Sequence, residues 1–136
     1  MKLVAQTFEQ HITVNQEDID DLNHVNNVRY VQWMEDVAKA HWLTNASDEI
    51  KKKYFWIVVR HEIDYKRQAF LGDELTLRTF VADHTHVTSK RHIHILNKNT
   101  GDILIKAKST WCLMDSETKK PVKISEEMIR VFYDVE

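Results

Sequence analysis

The sequence predicts an α+β fold in which one long helix precedes four consecutive antiparallel strands. Apolar residues recur at close to helical spacing between Asn27 and Leu43, and further along they alternate with polar residues in successive short runs. No helical pattern separates these runs, so neighbouring strands are joined by tight turns and pair antiparallel. The helix is apolar around most of its circumference, which favours a sheet that wraps around it.

The remaining elements follow from local patterns. Residues 3–14 alternate loosely and include β-branched and aromatic side chains, which predicts a strand. A polar stretch at 15–26 precedes the helix, and a charged turn at 51–53 follows it. Ser125 is the expected N-cap of a short terminal helix. The four later strands have their apolar positions within 58–65, 75–81, 93–95 and 103–113.

Length, charge and cysteine content limit the class of protein. The 136 residues contain no linker or repeat, which predicts a single domain over residues 1–136. Cys112 is the only cysteine, so no intrachain disulfide can form. A net charge of -2 argues against a nucleic-acid partner, and no apolar run is long enough for a membrane span. Polar residues close to the start argue against a signal peptide, so we expect a cytoplasmic location.

Reactive side chains are concentrated between Asp18 and Tyr30, directly before the helix. This segment contains three carboxylates, a histidine and three asparagines. The free backbone N–H groups of a helix N-terminus can stabilise an oxyanion, and a nearby carboxylate can act on a carbonyl as base or nucleophile. A simpler interpretation is that these Asp and Asn residues only cap the helix.

The order of these residues resembles the signature of the acyl-CoA thioesterases of the hotdog fold, in the 4-hydroxybenzoyl-CoA thioesterase-like superfamily. That signature is Asp-x-Asp-x-x-x-His-Val-Asn-Asn-x-x-Tyr, with a Glu five residues further on. The resemblance extends more loosely over the whole chain. It implies a hotdog fold, a long central helix wrapped by a curved antiparallel sheet of about five strands. The matching residues are Asp18, Asp20, His24, Val25, Asn26, Asn27, Tyr30 and Glu35.

The resemblance also implies hydrolysis of an acyl-CoA thioester to a carboxylic acid and free coenzyme A, with no metal or other cofactor. Asp20 would attack the carbonyl or deprotonate the attacking water, and a backbone N–H near Asn27 would polarise the carbonyl oxygen. His24 would orient the water or the carboxylate. Asn26 would help to position the loop at the substrate.

Other positions in the loop have secondary or altered roles. Asp18 is expected to hold the loop by hydrogen bonds, and Glu35 is expected to be structural. Many relatives have Gly where this chain has Asn23, and Asn is the next most tolerant residue for a positive φ. Asn23 would then add a polar group to the site. Plant acyl-carrier-protein thioesterases have a functional Asn where this chain has Leu22, so Asp20 acts here with less support.

Substrate contacts are expected from cations and aromatic rings. Coenzyme A carries several phosphate charges, so we expect Arg91, Lys90 and Arg60 near the pocket mouth. The alternative is that each basic run is only a solvated turn. Aromatic residues that could line an acyl pocket are interpreted mostly as core; they are Trp33, Trp42, Phe55, Trp56 and Trp111.

Eight histidines raise the question of a metal site. His92 and His94 project from the same face of a strand, opposite Ile93 and Ile95, which makes that face the polar one. His86 is too far along the chain to join them at one metal. We therefore predict no native metal site.

Three other functions remain open from the sequence. The carrier of the acyl group could be acyl carrier protein. A hotdog hydratase is less compatible, because those enzymes favour His five residues after Asp and His24 follows Asp20 by four. A catalytically silent acyl-thioester binding module is the third. In each case the resemblance implies a homodimer or homotetramer with sites at the subunit interface, because one chain leaves a sheet edge open.

Overall fold

The computed structural model describes residues 2–136. The elements are β1 Leu3–Ala5, β2 Phe8–Thr13, α1 Asn27–Asn45, α2 Asp48–Lys53, β3 Tyr54–Tyr65, β4 Glu74–His84, β5 Thr88–Asn97, β6 Ile103–Asp115, α3 Glu126–Arg130 and β7 Tyr133–Val135. Helix α1 lies across one face of a five-stranded antiparallel sheet with the strand order β2-β4-β5-β6-β3, and a separate two-stranded sheet pairs β1 with β7.

The core lies between α1 and the inner face of the sheet. Tyr30, Met34 and Val37 on α1 are buried against alternate residues of the central strands, including Leu77 and Ile95. Burial of these apolar side chains is the main stabilising contribution to the fold. The predicted α+β architecture with a helix wrapped by about five strands is confirmed.

The terminal regions differ from the predictions. The single strand expected over 3–14 is two strands, because β1 leaves the main sheet and pairs with β7 near the chain end. Helix α2 replaces the expected charged turn at 51–53, and it begins at Ser47, whose hydroxyl accepts the N–H of Ile50. The predicted N-cap of the last helix is confirmed, since Ser125 accepts the N–H of Met128.

Strand β3 forms one edge of the main sheet and is 12 residues long. A register shift between Val58 and Arg60 marks a bulge, and Ile57, Val59 and Tyr65 are each more than a third exposed. In residues 2–136, no helix has the length and apolar character needed to cross a bilayer.

Candidate active site

A closed turn connects the first strands to α1. The backbone N–H of Asp20 donates to the carbonyl of His24 at 3.0 Å, and the N–H of Asn23 donates to the carbonyl of Asp20 at 3.1 Å. One carboxylate oxygen of Asp20 also accepts the N–H of Leu22 at 2.9 Å. Asn23 has φ of +63°, the left-handed conformation for which Asn is the best substitute for Gly.

The base of this turn is fixed by Asp18, which is buried. Its carboxylate accepts from Nε of Arg29 at 2.9 Å and from the N–H of Asn15 at 2.8 Å, and its carbonyl accepts the N–H of Asn26 at 3.0 Å. With all these groups engaged, Asp18 holds the loop. This is the role expected for it.

Tyr30 attaches the loop to the segment between β3 and β4. Its hydroxyl accepts the N–H of Ala69 at 2.9 Å, while the carbonyl of Ala69 accepts the N–H of Val25 at 3.0 Å. Burial raises the pKa of Tyr30, so the hydroxyl stays protonated at neutral pH. Val25 and Tyr30 thus attach the loop and the first turn of α1 to the backbone of Ala69.

The N-terminus of α1 presents a free backbone donor at Asn27. The N–H of Asn26 donates to Asp18, that of Val28 to the side-chain oxygen of Asn26 at 3.0 Å, and that of Arg29 to the carbonyl of Asn26 at 2.8 Å. Within the described chain, the N–H of Asn27 has no acceptor. It lies at the positive end of the helix dipole, where an oxyanion is stabilised.

Asp20 and His24 supply the reactive side chains of this turn. The Asp20 Oδ1 to His24 Nδ1 distance is 3.8 Å, longer than a hydrogen bond, and the two side chains are 28% and 25% exposed. His24 Nδ1 is itself buried and has no partner among the described residues. The pair can close onto a water or onto each other, as catalytic hydrogen bonds often do when substrate binds.

A cavity of about 490 Å³ lies beside α1, between the helix and strands β3, β5 and β6. Four of the five aromatic residues singled out in the sequence line it: Trp42, Phe55, Trp56 and Trp111. The interpretation of these rings as mostly core holds for Trp33 and in part for Trp42 and Trp56, which pack against a second core cluster and also line the cavity, whereas Phe55 and Trp111 belong to the cavity wall. Their spacing could not distinguish the two, because a cavity wall and a core have the same periodicity.

Glu35 is part of the cavity wall and of a hydrogen-bonded chain. One of its carboxylate oxygens lies 3.2 Å from Nε2 of His61, and Nδ1 of His61 lies 2.6 Å from the hydroxyl of Ser109. With the ring neutral, Ser109 donates to His61, and His61 donates to Glu35. The expectation of a purely structural Glu35 is incomplete, since its carboxylate faces the cavity. His61 and Ser109 carry no sequence signal that links them to Glu35.

The cations expected at the pocket mouth are arranged differently from the prediction. Arg91 is only 3% exposed, and its Nη1 donates to Nδ1 of His41 and to the hydroxyl of Thr79, each at 3.0 Å. Its guanidinium therefore lies inside the protein and not on the outer surface, although Arg91 does line the cavity. Arg60 is exposed and pairs with Glu62 at 2.6 Å, and Lys90 is exposed.

Arg91 and His41 form a buried polar group with Gln6. Nε2 of His41 donates to the side-chain oxygen of Gln6 at 2.8 Å, and Nδ1 accepts from Arg91. Burial first, and then the charge of Arg91, lower the pKa of His41 to about 3. Burial lowers the pKa of Arg91 to about 9, so at neutral pH the arginine is charged and the histidine is neutral.

The outer face of the sheet carries His92 and His94. Both pack against Phe80, whose ring stacks on that of His92 with a centroid distance of 5.0 Å. Burial lowers the pKa of both histidines, with further lowering from neighbouring lysines. Residues 2–136 contain no group of three or more His, Cys, Asp or Glu side chains that could hold a metal ion.

The helix wrapped by an antiparallel sheet, with an Asp-His-Asn turn at the helix N-terminus, defines a hotdog-fold protein with a thioesterase-type loop. The sequence model of the thioesterase-like superfamily matches residues 14–132, and the chain belongs to this family. The 1,4-dihydroxy-2-naphthoyl-CoA thioesterase Slr0204 from Synechocystis has the same fold, with a TM-score of 0.80 and 14% identity over 93% of this chain and 96% of that one.

The names of two relatives specify different carriers of the acyl group. The Bacillus subtilis protein "Putative acyl-CoA thioesterase YneP" is 28% identical over 119 residues, 85% of each chain. The chloroplastic acyl-[acyl-carrier-protein] hydrolase FATB2 of Cuphea viscosissima is 32% identical over 80 residues, 59% of this chain. The match spans 19% of the length of that plant relative.

Proposed function

We propose that this protein hydrolyses acyl-CoA thioesters in the cytoplasm. The products are a carboxylic acid and the free thiol of coenzyme A. With Asp20 as general base, it removes a proton from the water that adds to the thioester carbonyl, and the C–S bond then breaks. With Asp20 as nucleophile, its carboxylate displaces the thiolate to give a mixed anhydride, which water hydrolyses to the acid and free Asp20. His24 orients this water, and Asn23 and Asn26 shape the turn that surrounds it.

The observation that carries this proposal is the unused N–H of Asn27. The N–H groups of Asn26, Val28 and Arg29 each have an acceptor in the described chain, whereas that of Asn27 has none and lies at the helix start, directly after the turn that carries Asp20. Negative charge develops on the carbonyl oxygen during attack, so a preorganised donor lowers the barrier. One such donor contributes roughly 10²–10³ in rate.

Coenzyme A is the proposed carrier because a relative that matches 85% of this chain carries an acyl-CoA name. Arg60 and Lys90 are exposed cations that can contact its phosphates. Acyl carrier protein is the second candidate, since the plant matches are named as acyl-carrier-protein hydrolases. Leu22, 71% exposed, stands where those enzymes have a polar residue, and this favours coenzyme A.

The working unit is proposed to be a homodimer or homotetramer with the site at the subunit interface. Strand β3 leaves a 12-residue edge with unpaired backbone groups and exposed Ile57 and Val59. Such an edge is rarely left open in native proteins, and a second copy of β3 would cover it. Val28, next to the Asn27 N–H, is 73% exposed, so the same contact would also enclose the reacting carbonyl. Light scattering should then give at least twice the chain mass of 16.2 kDa.

Replacement of one carboxylate oxygen tests the catalytic assignment. D20N keeps the size of the side chain and an oxygen for the N–H of Leu22, but it lowers basicity and nucleophilicity. Thiol release from a panel of acyl-CoAs should fall at least about a hundredfold. D21N is the matched control, because Asp21 is an exposed neighbouring carboxylate without a partner in the described residues; it should keep its rate.

Three results would contradict parts of this proposal. If D20N and D21N lose equal activity, or neither loses any, Asp20 is not the catalytic carboxylate. If the wild type binds acyl-CoA but cleaves no thioester, the protein is a binding module. If acyl carrier protein with the same acyl chain is the better substrate, the carrier assignment is wrong.

A further inference from the structure

The wall of the cavity beside α1 contains a buried cation. Arg91 lines the cavity and is only 3% exposed. A buried charged donor without an anionic partner is costly inside a protein, so its position at a cavity indicates a ligand that accepts.

The charge of Arg91 is also uncompensated. Its two hydrogen bonds both come from Nη1 and go to neutral atoms of His41 and Thr79, and no carboxylate of residues 2–136 lies within ion-pair distance. The ring of Phe132, 4.9 Å from the guanidinium carbon, provides the only further attraction. A buried cation is normally paired with an anion. Arg91 is therefore a buried cation in the cavity wall without an anionic partner among the described residues.

The cavity runs along α1, away from the helix start at Asn27, as an acyl chain bound there would. Its helix side runs from Gln32 to Leu43, about 17 Å at 1.5 Å per residue, and starts five residues after Asn27. The carboxylates of Glu35 and Asp36 and the amine of Lys39 lie toward the exposed side, whereas Arg91 is enclosed. Arg91 contacts His41, 14 residues after Asn27 on the same helix, so the acyl chain of a thioester held at Asn27 would extend along the cavity toward the arginine.

We propose that the preferred substrates are acyl thioesters whose chain ends in a carboxylate, and that Arg91 binds this distal carboxylate. The inference rests on the proposed thioester hydrolysis and adds the chemical class of the acyl group. The aromatic walls bury the methylene groups, and the guanidinium pairs with the terminal anion. Arg91 is then a specificity-determining residue that does not touch the reacting carbonyl.

Matched substrates test this without any change to the protein. Initial rates are compared for straight-chain acyl-CoAs and for ω-carboxyacyl-CoAs of equal carbon number, over a series of chain lengths. At the best length, kcat/KM for the carboxylated substrate should exceed that of its partner by about tenfold or more, as expected for a charged hydrogen bond. A preference for the unsubstituted chain at every length overturns the proposal.

Two variants assign the preference to Arg91. R91M removes the charge at similar volume and should bring the ratio of the two kcat/KM values to one or below; R91K keeps the charge and should retain a ratio above one. An unchanged ratio in R91M contradicts the assignment. If R91M does not fold, R91K still tests the assignment. A lysine cannot bind a carboxylate through two parallel N–H groups as a guanidinium can, so the ratio of the two kcat/KM values should be smaller in R91K than in wild type. An equal ratio contradicts the assignment.

Binding separates this inference from the proposed hydrolysis. Calorimetry of the wild type with non-hydrolysable thioether analogues of the same pair of ligands measures their affinities without turnover. Tighter binding of the ω-carboxyacyl analogue supports the Arg91 site even if Asp20 proves not to be catalytic. Equal affinities refute the site even if hydrolysis itself is confirmed.

Discussion

Neutral, buried His41 should make the protein sensitive to mild acid. Its ring is 0% exposed, stacks on Phe8 with a centroid distance of 4.9 Å, and accepts a hydrogen bond from the charged Arg91. Protonation in the folded state would place a second positive charge against that guanidinium. Burial of the ring, and then the charge of Arg91, lower the folded pKa of His41 to about 3 from an ordinary value of 6.5.

The magnitude follows from the two pKa values. Between pH 6.5 and pH 3 the unfolded chain binds a proton at this position and the folded chain does not, so stability falls as the pH falls. Each pH unit contributes about 1.4 kcal/mol, so the free energy of unfolding should lose about 2.5 kcal/mol from this residue between pH 7 and pH 4.5. Below pH 3 both states are protonated and no further loss arises from His41.

Urea denaturation of wild type and H41N across this pH range measures the effect. The Asn oxygen can still accept from Arg91, but the side chain does not titrate. H41N should be less stable at pH 7, and its stability should fall by about 2.5 kcal/mol less than that of wild type on going to pH 4.5. All other titrating groups are common to the two proteins. Parallel pH curves would refute the assignment of a neutral, buried His41.

Two further substitutions test the loop that carries the candidate site. Y30F removes the hydroxyl that accepts the N–H of Ala69 and should lower the free energy of unfolding by about 1–3 kcal/mol, while Y65F, at an exposed tyrosine, should change it little; equal effects would refute the role of this hydrogen bond. N26A removes the side-chain acceptor of the Val28 N–H and should cost about 1 kcal/mol in urea denaturation, whereas N26D should keep most of the stability. An N26A protein as stable as wild type would contradict the capping role.

Much of the fold could be predicted because its long elements have strong local periodicity. The helix predicted from Asn27 to Leu43 extends only two residues further, and the alternation of Ile93 and Ile95 correctly defines the inner face of β5. The same alternation also places Arg91 on that inner face. The sequence analysis grouped Arg91 with Lys90 at the pocket mouth, whereas the strand period places these two neighbours on opposite faces of β5 and buries Arg91.

The short elements could not be predicted in the same way. Strands β1 and β7 have three residues each, and β1 pairs with the chain terminus more than 120 residues away. A three-residue strand has almost no period of its own, so its conformation depends on the partner it meets.

The sequence by itself determined the family-type loop, the helix that begins after it, and the order of the strands, because each depends on residues close together in the chain. Tertiary structure alone decided which groups meet. Glu35, His61 and Ser109 come from one helix and two strands, and Arg91 approaches His41 across 50 residues. Such contacts depend on sheet register and on how α1 lies over the sheet. The unused N–H of Asn27 and the uncompensated charge of Arg91 emerge only when every neighbouring partner is in place.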